Sequence, residues 1–244
     1  MIRITFLGSN GSIQERESGN TSLLVKTQCV SVLVDTSTHI EEAVVNQIDG
    51  VILTHEHTDH LYGLPSLIHQ LWLKGRTKEL IVLLPEGMTE MVESLLNVFS
   101  LREKKAMFQI TLVTDNEYTI KDLSMTFFKT DHTPLSRGVI FSSGDTRVVY
   151  TSDTRPILDA PKAWKDVDLL IHEASGVSEG EETLIKKGHS SAKDAALLAS
   201  SINAKKVFLC HLPQDKDSIK KEAISYYDKC AIPTPLEEYV IGEC

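Results

Sequence analysis

The chain has 244 residues, a formal net charge of −9, 41% apolar and 24% charged residues. That is the composition of an ordinary globular protein. The acidic balance disfavours broad electrostatic binding to nucleic acid, and no apolar run approaches the ~20 residues of a membrane span.

Taken in order, Ile2–Leu7 alternates apolar and polar residues and reads as a first strand rather than a signal peptide, having no basic segment ahead of an apolar one. Gly8–Ser12 is a Gly-rich turn and Gln14–Asn20 a polar loop; strands are expected over 22–26 and 30–35, and a helix over 38–47 with a Ser/Thr start. The apolar run from Val51 starts a strand that stops at Thr54. A helix is expected over 62–73, a strand over 80–84, a helix over 87–99 and a strand over 109–113. Short strands follow at 123–129, 139–142 and 148–151, the last two joined by the turn Ser143-Gly144-Asp145, and another at 169–171. The remainder reads as a helix over 191–202 capped by Ser191 with Asp194, a strand over 207–210, a helix over 218–227 and a last strand over 238–241. This is an α/β pattern with two sheets. No repeat, low-complexity tract or flexible linker divides it, so residues 1–244 read as one domain. Cys29, Cys210, Cys230 and Cys244 form no C-x-x-C pair and read as reduced thiols of a cytoplasmic protein rather than as a zinc site.

The chemistry concentrates in T-H-E-H-T-D-H, residues 54–60. Imidazole and carboxylate are the usual ligands of zinc and related divalent ions. His55 and His57, two apart in extended chain, share a face, while Asp59 and His60 follow a bend and can serve a second ion. Further strand ends release the same residue types: His132 after Phe127–Thr130, Asp153 after Val148–Thr151, His172 and Glu173 after Leu169–Ile171, His211 after Val207–Cys210. Each alone is weak evidence, since a lone histidine after a strand is more often structural. Together, His55, His57, Asp59, His60, His132, Asp153 and His211 can surround two ions with one bridging carboxylate.

T-H-E-H-T-D-H resembles the H-x-H-x-D-H signature of the metallo-β-lactamase superfamily, and His132, Asp153 and His211 follow in that superfamily's order. The resemblance implies an αββα four-layer sandwich of two facing mixed β-sheets with a dinuclear metal site at one edge. His55, His57 and His132 would hold one ion, Asp59, His60 and His211 the other, and Asp153 would bridge. Asp35, closing V-L-V-D, matches the superfamily's first acidic motif, a structural support. Zinc suits these ligands best, with manganese or iron as alternatives. Within the superfamily the chain is similar to the ribonuclease Z branch in I-T-F-L-G-S-N-G, H-L-Y-G-L-P (60–65), S-D-T-R-P (152–156), H-E-A-S (172–175) and G-H-S-S (188–191). That likeness implies a phosphodiesterase in which Asp59 orients a metal-activated water and His189, oriented by Glu173, protonates the leaving oxygen. The bacterial form of that branch carries a tRNA-gripping arm between the residues matching His132 and Asp153; only residues 133–152 lie there in this chain.

The expected substrate is a phosphodiester, either RNA, as in tRNA 3′-processing, or a small cyclic or linear diester. A thioesterase of the glyoxalase II type shares T-H-x-H-x-D-H but usually carries a helical C-terminal region, whereas strand-like segments here persist to Val240. A non-catalytic metalloprotein is a further alternative, opposed by the full set of ligand positions. Family members often pair as homodimers through the helix behind the ligand loop; Leu64, Leu67, Ile68 and Leu71 would suit such a face, and core burial accounts for them equally well. Lys74, Arg76 and Lys78 read more simply as a solvated loop than as phosphate contacts.

Overall fold

The structure is a computed structural model that describes residues 1–16, 18–37, 48–104 and 108–242. The helix expected over 38–47, and Cys244, lie outside the described residues. Strands β1 (Ile2–Asn10), β2 (Gly19–Asn20), β3 (Ser22–Lys26), β4 (Ser31–Val34), β5 (Gly50–Ile52), β6 (Leu80–Leu83) and β7 (Ile110–Val113) form the first sheet. The second contains β8 (Glu117–Ile120), β9 (Leu123–Lys129), β10 (Arg137–Ser143), β11 (Thr146–Tyr150), β12 (Leu169–Glu173), β13 (Val207–Cys210) and β14 (Cys230–Ala231). The last strand, β15 (Glu238–Ile241), returns to the first sheet and pairs antiparallel with β1.

Both sheets are mixed in the same way. An antiparallel meander, β1-β3-β4 in one and β8-β9-β10-β11 in the other, leads into a parallel run, β4-β5-β6-β7 and β11-β12-β13-β14. Apolar residues fill both faces of the central strands because both faces are covered. In β4, Val32 and Val34 point into the layer between the sheets while Leu33 points out. The inner layer joins Phe6, Leu23, Val34 and Ile52 of one sheet to Met125, Phe141, Tyr150, Ile171 and Phe208 of the other. The Phe6 and Phe208 rings meet edge-on at 5.6 Å.

Helices close the two outer faces. Helix α1 (Thr58–Leu61) is a single turn, followed by α2 (Leu64–Leu73) and α3 (Thr89–Val98). Leu64, Leu67, Ile68 and Leu71 of α2, with Val92 and Leu96 of α3, pack on Leu33, Val51, Leu53 and Val82. On the opposite face, α5 (Ala192–Ser201) and α6 (Lys216–Tyr226) lay Ala195, Ala196, Ala199, Ile219 and Ala223 on Val149, Leu170 and Leu209. Between β12 and α5 runs the short α4 (Glu181–Lys187). The four layers are the expected αββα sandwich, and the Ser191–Asp194 capping box is present as read from sequence.

Three departures have local causes. The first strand continues through the expected turn to Asn10, with its register shifting at Gly8, where a Cβ would meet the Asn20 carbonyl oxygen at 2.3 Å. Strand β8 is a four-residue edge strand whose Tyr118 and Ile120 pack on the core while Glu117 and Thr119 are exposed, an alternation too short to stand out in sequence. Helix α4 buries no residue and therefore lacks the periodicity that marks a helix in sequence.

Metal-ligand chemistry gathers at the C-terminal ends of β4, β5, β9, β11, β12 and β13. The N-terminal end of α2 is pressed onto the turn after β4. Thr36 N–H donates to the His60 carbonyl at 2.8 Å and Thr36 Oγ1 to the Leu61 carbonyl at 3.2 Å. Gly63 sits so close that an added Cβ would lie 1.8 Å from the Thr36 oxygen. We therefore expect Gly63→Ala to lower stability by about 1–3 kcal/mol, the usual penalty of overpacking against structure that cannot yield, and to displace His60. Urea unfolding would check this; a midpoint equal to the parent's would mean that the turn moves aside freely.

Candidate metal centre

The ligand loop begins where β5 ends. His55 and His57 turn the same way, as their spacing requires, and bring His55 Nε2 to 3.0 Å from His57 Nδ1. His132, from the loop after β9, brings its Nε2 to 3.2 Å from the same His57 nitrogen. Two nitrogens held ~2.1 Å from one tetrahedral ion would stand about 3.4 Å apart, so these three rings have nearly the spacing of a shared cation. Glu56, between them in sequence, is exposed and belongs to none of the ligand sets.

The bend after His57 is α1, which carries Asp59 and His60 toward His211 at the end of β13. His211 Nε2 lies 3.5 Å from Asp59 Oδ2, and His60 Nε2 lies 3.7 Å from the same oxygen. Asp153, at the end of β11, stands between the two groups. Its Oδ2 is 3.2 Å from His211 Nε2, 3.6 Å from His60 Nε2, 3.7 Å from His55 Nε2 and 3.9 Å from His132 Nε2. All seven sequence-predicted ligand positions thus converge. The ligand atoms fall into the sets His55, His57, His132 with Asp153, and Asp59, His60 with His211, each set lying within 4.8 Å. Asp153 Oδ2 and His60 Nε2 are buried without a hydrogen-bond partner. A cation would satisfy both, so the cluster fits divalent metal binding.

The outward nitrogens show how the rings are held. His60 Nδ1 donates to Asp35 Oδ2 at 2.8 Å, and His132 Nδ1 donates to the Gly188 carbonyl at 2.8 Å. Gly188 ends α4 with φ +88, a left-handed conformation that glycine adopts without strain. His55 is fixed less directly. Thr54 Oγ1 gives its only proton to Asp35 Oδ2 at 2.9 Å, so it accepts one from His55 Nδ1 at 3.0 Å. Each of these three rings therefore aims an unprotonated Nε2 at the cluster when neutral, while His57 presents Nδ1. Asp35, read as a support, is that: fully buried, it also accepts the Thr54 N–H at 2.9 Å.

Charge follows burial. Burial lowers the pKa of His55 and His57, and neighbouring imidazoles lower both further. For His60 burial acts downward too, but Asp153 and Asp35 outweigh it and raise the pKa well above the usual value. His211 is raised by Asp153 and Asp59 against the same burial effect. Burial would raise the Asp59 carboxyl, yet the His211 hydrogen bond and the charge of His60 lower it. Asp153, driven by His211 and His60, is likewise lowered well below the carboxylate range despite burial. The carboxylates thus favour positive charge at His60 and His211, the charge that a bound cation would supply.

Beside the cluster stand Glu173 and His189. Glu173, fully buried, accepts Thr154 N–H at 2.6 Å, Ser175 Oγ at 2.6 Å and His189 Nδ1 at 3.2 Å. His189 Nδ1 lies 4.0 Å from Asp153 Oδ2. A cleft of about 230 Å³ opens over these groups, lined by Ser12, His57, Thr58, Asp59, Asp153, His189 and His211. Ser12 Oγ donates to Asp59 Oδ2 at 3.1 Å. A larger cleft of about 1120 Å³ lies at the far end of the sandwich, beside Arg3, Thr146 and Lys206, and none of the cluster residues reaches it.

Several contributors were not singled out from sequence: Ser12, Thr54, Ser175, Gly188 and Arg155. Arg155 fastens the His132 loop to the Asp153 loop and to α4, its N–H and Nη1 donating to Asp131 and its Nε to the Ile185 carbonyl at 2.7 Å. Ser175 and Arg155 stand within the quoted motifs H-E-A-S and S-D-T-R-P, the only sequence signal they give. His172, by contrast, faces away, its Nδ1 donating to its neighbour's carbonyl at 2.7 Å. Among the basic residues after α2, half-buried Arg76 donates to the carbonyls of Ile48, Lys78 and Glu79 and so has a structural part, while exposed Lys78 pairs with Asp49.

Known proteins resemble the chain in sequence and in fold. The ribonuclease Z of Sulfurisphaera tokodaii is 25% identical, with 100% of this chain and 99% of the relative covered. Their alignment runs over 299 positions against 244 residues here, so the relative holds segments that this chain lacks. Among solved structures, the metallo-beta-lactamase fold protein YhfI from Bacillus subtilis superposes with a TM-score of 0.84 at 22% identity, covering 99% of each chain. The short form of human tRNase Z gives 0.79 at 18% identity, covering 99% of this chain and 100% of that one. Residues 30–212 match the family model described as Beta-lactamase superfamily domain. That match runs from the start of β4 past His211 and so takes in the whole cluster: the chain belongs to the beta-lactamase superfamily.

Proposed function

We propose that the chain is a phosphodiester hydrolase that uses two divalent metal ions, zinc by preference, with RNA as substrate. The observation that carries this reading is the Glu173–His189 pair at the edge of the cluster. Hydrolysis of a phosphodiester expels an alkoxide, which needs a proton; a thioester expels a thiolate, which does not. His189 is held through Nδ1 by a buried carboxylate, which leaves Nε2 as the atom to deliver that proton. His55, His57 and His132 would hold one ion, Asp59, His60 and His211 the other, with Asp153 shared. Bound there, the ions would supply positive charge to offset that of the phosphate and a water acidified toward neutrality. Asp59, steadied by Ser12, would orient the attacking water and take its proton.

RNA is the substrate class in the name of the ribonuclease Z relative. One observation favours a small diester instead. Between His132 and Asp153 the chain forms only the hairpin β10–β11, closed by the two-residue turn Gly144-Asp145, and nothing projects from it to grip a large partner. The reading also takes the protein as cytoplasmic and as a homodimer. Leu64, Leu67, Ile68 and Leu71 are buried within the chain, so pairing along α2 would use its other residues.

Three outcomes are expected. Bis(p-nitrophenyl) phosphate and a precursor tRNA with a 3′ trailer, assayed side by side on metal-loaded protein, should both be cleaved; cleavage of the chromogenic diester alone would assign a small substrate, and cleavage of neither would reject the reading. His189→Ala should lower kcat about 10²–10⁴-fold on diesters with alkoxide leaving groups, and far less on p-nitrophenyl esters, with metal content unaltered; equal losses on both classes would remove the donor role. Zinc uptake should release protons. His60 and His211, with raised pKa values, bind protons that zinc must expel, so apparent affinity falls as pH is lowered, whereas His55 and His57, with lowered values, contribute none at neutral pH. Calorimetry at pH 7 in buffers of different ionisation enthalpy would show this; uptake without proton release would contradict it.

A further inference from the structure

Ser175 makes two short side-chain contacts, one to a buried carboxylate and one to a ring of the cluster. Its Oγ lies 2.6 Å from Glu173 Oε2 and 2.8 Å from His211 Nδ1. The chain positions it tightly: Ser175 N–H donates to the Ser190 carbonyl at 3.1 Å, and the next residue, Gly176, bridges to Ser191. A hydroxyl has one proton. At 2.6 Å, the O–H···O⁻ separation of a charge-assisted bond, that proton belongs to Glu173. His211 Nδ1 must then be the donor to Ser175, and His211 is left with Nε2 for the cluster, 3.2 Å from Asp153 Oδ2.

This repeats in the second sheet the arrangement at Thr54 in the first. There a hydroxyl after β5 gives its proton to Asp35 and takes one from His55. Each carboxylate also holds a second ring: Asp35 accepts from His60 Nδ1, a ligand position, and Glu173 from His189 Nδ1 beside the cluster. Asp59 lies against His211 on the other side and is steadied by Ser12, so nothing else among the described residues sets the His211 ring through Nδ1.

We propose that Ser175 is a positioning residue that sets His211 with Nε2 toward the metal centre and, through the same hydroxyl, ties that ring to the Glu173–His189 pair. This rests on the metal-dependent reading above and adds to it a link between one metal position and the proton donor. A hydrogen-bond partner behind a metal-binding histidine is generally worth 10–100-fold in affinity.

The test uses the full-length chain, zinc and a competing chromophoric chelator. Ser175→Ala should weaken one of the two zinc ions, the one held by His211, about 10–100-fold and leave the other near the parent value, while Ser175→Thr, which keeps the hydroxyl, should restore it. In the zinc-loaded parent and the threonine variant, long-range ¹H–¹⁵N spectra should show a protected proton on His211 Nδ1 that the alanine variant loses. Ser175 is partly exposed and the alanine leaves no packed void, so a folded variant is expected; the ring-proton signature separates positioning from a general loss of stability. Unchanged zinc affinity in Ser175→Ala together with a retained Nδ1 proton would overturn the proposal. Both readouts are taken without substrate, so they fail or succeed independently of the diester assay. A parent protein that takes up no zinc would overturn this proposal and the metal reading together.

Discussion

At the centre of the molecule's chemistry is a carboxylate oxygen with nowhere to put its charge. Asp153 Oδ2 is buried, makes no hydrogen bond, and faces nitrogens of five imidazoles at 3.2–4.0 Å. An ionised carboxylate in such a place is costly unless positive charge is supplied beside it. Supplying it fixes the surrounding rings, because each must turn a particular nitrogen inward. A ring that turns one nitrogen in must lodge its other nitrogen on an acceptor. Asp35, Thr54, Gly188 and Ser175 are those acceptors for His60, His55, His132 and His211. The geometry of the cluster is thus dictated as much by the groups behind the rings as by the rings themselves.

The fold makes such a crowded arrangement possible by repeating one connection pattern. Each sheet passes from antiparallel to parallel pairing, and the parallel strands of both deliver their C-terminal ends to the same edge. The loops after β4, β5, β12 and β13 start from fully buried strands, so short side chains reach defined points. Arg155 then fastens two of the loops to the end of α4, and the turn after β4 is locked to α1 by Thr36.

Much of this was legible in the sequence, for reasons that particular residues make plain. The ligand loop could be read because its spacing acts locally: His55 and His57 share a face, and Asp59 and His60 follow one helical turn. Asp153 and His211 could be read because apolar strands announce where they end. Glu173 and His189 needed the family resemblance, since a loop carboxylate and a histidine before a helix cap look ordinary alone. Ser175 and Thr54 were illegible as actors because their role rests on which of two neighbours takes a single proton, a matter of tenths of an ångström between residues such as Ser175 and His211 that are far apart in the chain. Helix α4 escaped notice because it buries no face that would write its period into the sequence, and strand β8 because its alternation spans only four residues.

The division of the cluster between the sheets has a thermodynamic side. His55, His57, Asp59 and His60 leave the first sheet, and His132, Asp153 and His211 the second. No stretch of the unfolded chain holds the complete set, so a cation binds the closed sandwich in preference to the unfolded chain. Ligand binding of that kind adds to folding free energy by mass action, ~4.1 kcal/mol at a free concentration a thousand times the dissociation constant. The same loops that would serve chemistry would then act as a clasp between the sheets, and the supply of metal in the protein's surroundings would set how firmly the molecule stays shut.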